Sequence, residues 1–292
     1  MLHCIGVLAH PNRPQTAPIA EGIVATLRGR GVRAWLHTQW DDASVRDDVP
    51  QADAVIAIGG DGAMLKAARV CAPHGVPVLG VNMGRLGFLT EVKAIAEWDD
   101  ALTRLLAGDY WIETRMMIRT SITAKGVLGD ALNDVVLSGS MMGYMVQLDA
   151  YIDRQWTTLY NADGLIIATP SGSTAYALAA GGPILPPDLK NILLVPVAPH
   201  LSINRAIVMS EGSQVSVRLN PENRHVVNVL ADGVLLGTLN EGETLTVRAS
   251  EHSARFIRFR SRQYFYRSLL DKLEPRINRK NEGVLTDLDD QD

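Results

Sequence analysis

ADAVIAIGGDGAMLKAARVCA, residues 52–72, changes character at one point. Residues 52–58 are a nearly continuous apolar run, the pattern of a strand buried on both faces. The run breaks at Gly59-Gly60-Asp61-Gly62, and residues 63–72 then carry helical spacing. Glycines at such a turn permit positive φ and let a ligand approach the main chain closely. The helix that follows offers unpaired N–H groups and the positive end of its dipole, which suit phosphate oxygens. Asp61 sits oddly there, because a carboxylate repels phosphate unless it handles a proton or a metal ion. The plainer alternative is that Asp61 caps the helix beginning near Ala63. The segment is neither GxxxxGK[ST] nor GxGxxG, so the common P-loop and dinucleotide fingerprints do not apply.

The same alternation extends through the first hundred residues. Apolar runs at 3–9, 33–37 and 77–82 are interleaved with helical patterns at 16–30 and 94–107, the last stopped by Gly108. Strand–turn–helix units of this length predict a parallel sheet flanked by helices. From about Trp111 helical periods become rare. Strand-like runs follow at 116–124, 134–137, 145–152, 165–169, 192–197, 214–219, 225–230, 244–248 and 256–259, with turn signals at Asp232-Gly233 and Asn240-Glu241-Gly242. This half reads as mostly β in two layers. The expected domains are therefore 1–110 and 111–263, with 264–292, helical at 264–273, as a candidate completion of the first.

With 292 residues, a net charge of −4 and 47% hydrophobic side chains, the chain can bury a core without metals or disulfides. The charge gives no reason to expect nucleic acid or an anionic membrane as partner. Cys4 and Cys71, each in an apolar stretch, read as reduced buried thiols. The N-terminus lacks the features of a signal peptide, and no run of about 18 apolar residues exists, so a cytoplasmic protein is expected. The seven histidines include no pair at ligand spacing on a helix, so no metal site built from side chains alone is expected.

Further segments carry chemical character. Residues 81–90, VNMGRLGFLT, follow a strand end, where ligands gather in open α/β sheets. Phe88 could stack on a base there or simply pack in the core. Residues 163–176, DGLIIATPSGSTAY, run from an Asp-Gly turn through an apolar strand into a hydroxyl-rich loop. Ser173 or Thr174 would suit a helix cap, yet the density of hydroxyls exceeds one cap and suits a slot for a base or ribose. No GxSxG is present, which argues against a hydrolase. Asn133-Asp134 and Asp232-Gly233 taken alone read as a strand entry and a hairpin turn.

The order of these segments is more specific than any one of them. GGDG, NMGRLGFLT, ND, DGLIIATPSGSTAYALAAGGPI and a late DG together resemble the NAD kinase family from about residue 52 to about residue 233. GGDG alone is shared with diacylglycerol-type lipid kinases and phosphofructokinases. The resemblance implies a Rossmann-like N-terminal α/β domain, a mostly β, sandwich-like C-terminal domain and an active site between them. It implies transfer of the γ-phosphate of ATP to the adenosine-ribose 2′-hydroxyl of NAD, with a divalent ion, Mg²⁺, accompanying ATP. Homodimers or homotetramers, with sites completed near subunit contacts, are implied as well.

Residue by residue, Asp61 matches the family's general base, and Gly59, Gly60 and Gly62 match the ATP-phosphate loop. Asp61, Gly62, Phe88, Asn133, Asp134, Asp163, Ser171, Thr174, Ala175 and Tyr176 match positions that meet NAD. Ala177, Leu178, Ala179, Ala198 and Asp232 complete the implied NAD-binding set. Asp134 replaces the usual Glu, which shortens its reach, and Val234 stands where many members carry a polar residue. Tyr144 and Asn161 fall at variable positions, which leaves preference for NAD or NADH open. Competing readings are a lipid kinase of the same superfamily, against which the polar GSTAY slot argues, a sugar-phosphate kinase, for which the motifs supply only Arg85, and a non-catalytic NAD-binding regulator, against which Asp61 argues.

Overall fold

The computed structural model describes residues 2–40, 43–83, 87–141, 144–261, 265 and 269. The expected C-terminal helix therefore lies almost entirely outside the described residues. The first part of the chain alternates β1 (Cys4–Leu8), α1 (Thr16–Gly29), β2 (Arg33–His37), α2 (Ala43–Asp48), β3 (Ala54–Ile58), α3 (Asp61–Cys71), β4 (Val78–Val81) and α4 (Trp98–Ala107). The strands pair in parallel in the order β2-β1-β3-β4. Every residue of β1, β3 and β4 is buried, as an unbroken apolar run requires when helices cover both faces. α4 ends on Gly108, whose φ of 75° closes the helix in the left-handed conformation. Helical spacing from residue 94 had suggested an earlier start, but residues Ile95–Glu97 form a 3-10 turn first.

The remainder is β5 (Trp111–Ile122), β6 (Gly126–Ala131), β7 (Asp134–Gly139), β8 (Val146–Ile152), β9 (Gln155–Ala162), β10 (Gly164–Ala168), the short helix α5 (Tyr176–Ala179), β11 (Asn191–Val197), β12 (Ile207–Ser210), β13 (Val215–Leu219), β14 (Val227–Ala231), β15 (Val234–Leu239) and β16 (Thr244–Arg258). An antiparallel sheet of order β12-β11-β10-β7-β14-β15 forms one layer. Its inward residues, among them Val135, Leu137, Leu165 and Ile167, share one core with Leu148, Tyr160, Val217 and Val247 of the opposing strands. This is the sandwich the alternating pattern predicted.

Two runs expected as separate strands, at 244–248 and 256–259, are one strand. β16 passes through an irregularity between Ala249 and Ser253 and changes neighbours there. Before it, β16 pairs with β13; beyond it, Phe256 pairs with Val78 of β4. β5 follows the other edge of β16 along both parts, from Leu245↔Ile122 to Arg258↔Trp111. The parallel sheet thus continues into the sandwich, and Met1–Phe259 form one compact unit. β6, β9, β12 and β15 had escaped the sequence pattern, because each is short or partly exposed and carries polar or small residues among its apolar ones.

Cys4 and Cys71 are free and buried. Among the described residues no helix is long and apolar enough to cross a membrane. Phe256 is fully buried where β16 enters the parallel sheet, and the guanidinium groups of Arg115 and Arg258 lie 5.6 and 5.2 Å from its ring centre. Phe256→Ala is expected to cost roughly 3–5 kcal/mol in urea unfolding, the range for truncating a buried aromatic.

Candidate active site

The chain leaves β3 at Gly59, whose φ is +152° and where a β-carbon would stand 2.6 Å from that of Ala63. Only glycine fits that turn. Gly60 caps α3, and the helix starts at Asp61 itself, two residues earlier than its apolar spacing suggests. The Asp61 carboxylate does not cap its own helix. Its Oδ2 accepts the N–H of Phe88 at 2.7 Å, and its Oδ1 accepts the N–H of Leu89 at 2.9 Å. At Gly87 a β-carbon would lie 2.0 Å from Oδ1, so the loop closes on the carboxylate with no room for a side chain. Asp61 thereby ties the GGDG turn to the 87–89 segment and keeps lone-pair sites for another partner. Gly84, Arg85 and Leu86 lie outside the described residues.

Beside this turn, His10 follows β1 with its Cδ2 3.5 Å from the position a Gly59 β-carbon would take. Burial first, then the charges of Arg13 and Lys66, hold the His10 imidazole below its ordinary pKa. The cationic side chains of Arg13 and Lys66 thus lie close to the strand end beside the GGDG turn.

Asp232 organises a second group of motif segments. It and Gly233 take φ of 48° and 77° between β14 and β15, a two-residue turn of the kind expected for Asp-Gly. The turn does more than reverse the chain. The fully buried Asp232 carboxylate accepts the backbone N–H groups of Leu132, Asn133 and Asp134 at 2.9, 2.8 and 3.2 Å. Arg69, in the last turns of α3, donates to the Ala231 carbonyl at 3.0 Å and approaches Asp232 at 3.5 Å. Asn133 in turn accepts from the Thr169 N–H at 2.9 Å, and the Thr169 hydroxyl bonds to the Leu132 carbonyl. The ND, GSTAY and late DG segments are thus one hydrogen-bonded assembly.

A cavity of about 410 Å³ opens against it, and Asn133, Asp134, Ala175, Tyr176 and Asp232 of the predicted set line it together. Leu65, Val136, Ser138, Leu230 and Gly233 also line it and were not anticipated. Strand alternation was the available signal for two of them, because Asp134, Val136 and Ser138 share one face of β7. Leu65 lies one helical turn, roughly 6 Å of rise, beyond Asp61, and Arg69 one turn further. One stripe of α3 therefore carries the carboxylate, a wall of the cavity and the anchor of Asp232.

The hydroxyl loop behaves differently from a cap. Ser173 donates to the Pro170 carbonyl at 2.7 Å and Thr174 to the Ser171 carbonyl at 3.2 Å, while neither bonds to the start of α5. Ser171 is buried, and its Oγ accepts from Arg115 at 3.4 Å. Ala177 faces the core under β7, β10 and β11, whereas Leu178 is half-buried and Ala179 exposed. Asp163 and Ala198 are exposed neighbours at the opposite end of β10, where the Asp163 N–H meets the Val197 carbonyl at 3.0 Å. With five residues in β10, that end lies roughly 17 Å from Ala168. Tyr144 and Asn161 line a separate open hollow of about 760 Å³, where Tyr144 stacks on His225 at 4.3 Å between ring centres.

Residues 19–110 match the family model for the ATP-NAD kinase N-terminal domain, and residues 132–259 match that for the C-terminal domain. The chain belongs to the NAD kinase family. The NAD kinase of Geotalea daltonii is 37% identical over 271 residues, covering 89% of this chain and 95% of that protein. That of Moorella thermoacetica is 36% identical over 287 residues, covering 95% and 91%. Among solved structures, the Archaeoglobus fulgidus NAD kinase in complex with ATP superposes with a TM-score of 0.71 at 25% identity, covering 92% of this chain and 98% of its own. Yeast NADH kinase complexed with NADH shares the fold with a TM-score of 0.82 at 21% identity, over 97% and 90% of the two chains.

Burial, and then the charge of Asp232, push the Asp134 carboxyl up from 3.8 to about 7. Its carboxyl makes no hydrogen bond among the described residues, so the folded protein holds it protonated where the unfolded chain would ionise it. Stability from this group is complete below pH 3.8 and is lost as pH rises to about 7. Asp134→Asn should therefore raise the melting temperature at pH 8 and leave it nearly unchanged at pH 4. Equal shifts at both values, measured by thermal denaturation, would contradict this electrostatic account.

Proposed function

We infer that the protein phosphorylates NAD at the adenosine-ribose 2′-hydroxyl with ATP as donor, and that Asp61 is the general base. The observation that carries the assignment is the position of Asp61. It stands on the GGDG turn at the start of α3, one helical turn from Leu65, which lines the cavity. The adenosine of NAD would occupy that cavity, with Asn133, Asp134, Ala175, Tyr176 and Asp232 around it and Ser171, Thr174 and Phe88 flanking it. Gly59, Gly60 and Gly62 would hold the ATP phosphates through their N–H groups, aided by the positive charge of Arg13 and Lys66. In this division residues 1–110 present the donor and contribute Asp61, Leu65 and Phe88 to the acceptor site, and residues 111–263 supply the rest of that site.

The reaction forms a bond from the ribose 2′-oxygen to the γ-phosphorus and breaks the bond to the bridging oxygen of ADP. The hydroxyl proton passes to the Asp61 carboxylate. Phosphoryl transfer depends chiefly on positioning and on offsetting charge, so fixed loops and a single carboxylate suffice on the protein side. Among the described residues no three His, Cys, Asp or Glu side chains converge as a metal cage. One carboxylate beside a phosphate loop does fit a Mg²⁺ that arrives on ATP, since this ion is commonly held by one or two carboxylates, phosphates and water. Asp61 would hold it, and the ion would offset phosphate charge.

The decisive assay is formation of NADP from NAD and ATP with Mg²⁺. Asp61→Asn should bind NAD within a few-fold of wild type and lose roughly 10² to 10⁴-fold in kcat. The amide can accept only one of the N–H groups of Phe88 and Leu89, so NAD binding must be measured alongside. Near-normal turnover would refute the role of Asp61.

Asp163 and Ala198 lie too far along β10 to flank Ser171 in the same copy. We place them in the site of a neighbouring copy, within a homodimer or homotetramer that works in the cytoplasm. Chains carrying Asp61→Asn and Asp163→Ala should each be nearly inactive, and co-expression should restore NADP formation. Continued inactivity of the mixture, with light scattering showing monomers, would rule out a site divided between copies.

A further inference from the structure

A buried cluster of charge lies under the junction of the motif loops. Arg115, on β5, is 7% exposed. Its Nη2 donates to both oxygens of Glu113, at 3.0 and 3.1 Å, and its Nη1 donates to Ser171 Oγ at 3.4 Å. Glu113 also accepts from Arg258 Nε at 2.7 Å. Arg258 Nη1 donates to the carbonyl of Leu89 at 2.7 Å and lies 3.6 Å from Glu91. The N–H of that same Leu89 is held by Asp61. An unbroken chain of contacts therefore runs Asp61, Leu89, Arg258, Glu113, Arg115, Ser171.

Such a cluster is a poor way to gain stability. Desolvating the ions offsets much of their attraction, and apolar residues of similar volume commonly serve as well or better. Arg115 Nε is buried with no partner among the described residues, which adds a further penalty. What the cluster supplies, and apolar packing would not, is a fixed separation between Asp61 and the hydroxyl loop. Both guanidinium groups act through planar forks that fix direction as well as distance.

We propose that Arg115 is a positioning residue that locks Ser171, in the acceptor slot, to the strand pair gripping the Asp61 loop, so that the acceptor hydroxyl meets Asp61 in reactive geometry. The proposal rests on the kinase reading above. Misplacement by about 1 Å can cost on the order of 10²-fold in rate, so the effect should fall on kcat. Arg115→Lys keeps the charge but cannot hold Glu113 and Ser171 in one plane.

The experiment measures kcat and KM for NAD and ATP in wild type, Arg115→Lys, Ser171→Ala and the double variant, normalised to folded protein by circular dichroism. Arg115→Lys should lower kcat by about 10 to 100-fold and move each KM less than about threefold. On the Ser171→Ala background the same substitution should cost much less, because the contact it would break is already gone. A purely structural role predicts loss of folded protein with kcat per folded molecule unchanged. A kcat for Arg115→Lys within twofold of wild type, or the same fold-loss on both backgrounds, would overturn the proposal. Should Arg115→Lys fail to fold, Glu113→Gln, which keeps the shape and weakens the fork, is read by the same criteria. A wild-type protein that forms no NADP would instead overturn the kinase reading.

Discussion

The pairing of β5 with β16 is the constraint on which the rest depends. These are the longest strands among the described residues, and they run side by side through the parallel sheet and the sandwich. β16 can serve both only because it bends near Ala249–Ser253 and exchanges β13 for β4 as its neighbour. Glu113, Arg115 and Arg258 sit on this ribbon where it joins the parallel strands. The loops that carry Asp61 and Ser171 are thus fastened to the most extensively paired backbone in the molecule. Loops that must hold reacting groups to a fraction of an ångström need such a base.

Much of the fold was legible because burial imposes simple patterns. The run 54–58 has no polar alternation, and β3 is covered on both faces as that implies. The alternation of Val135 and Leu137 with Asp134 and Val136 marks a sheet with one face in the core and one facing α5 and the cavity. What escaped was information not carried by neighbouring residues. Nothing near residues 244–248 announces that they continue unbroken to Arg258, because the bend is stabilised by strands far away in sequence. β9, with Gln155, Trp156 and Leu159 exposed, lacks the regular apolar alternation that identifies a strand.

The site was legible in the same uneven way. The order of motifs brought Asn133, Asp134, Ala175, Tyr176 and Asp232 to one cavity. Their means of assembly was not readable. Asp232 looked like an ordinary hairpin turn, and it is one, but its carboxylate also gathers the N–H groups of residues 132–134. Asp61 read as a catalytic group or a cap; its carboxylate does not cap α3 but holds a loop about 27 residues further along the chain. Local sequence shows that a carboxylate is present; which backbone it satisfies is decided by tertiary structure.

The stripe Asp61, Leu65, Arg69 makes α3 a measuring rod as well as a scaffold. Its hydrogen bonds fix the rise per residue, so the span from the phosphate turn to the anchor of Asp232 cannot stretch or shrink. Phase is fixed along with length, since each residue advances the helix by about 100°. Within this segment, substitutions that keep the apolar face preserve the geometry. A single insertion or deletion would turn Arg69 away from Asp232 while leaving Asp61 in place. The helix therefore tolerates changes of composition along its length more readily than a change of the length itself.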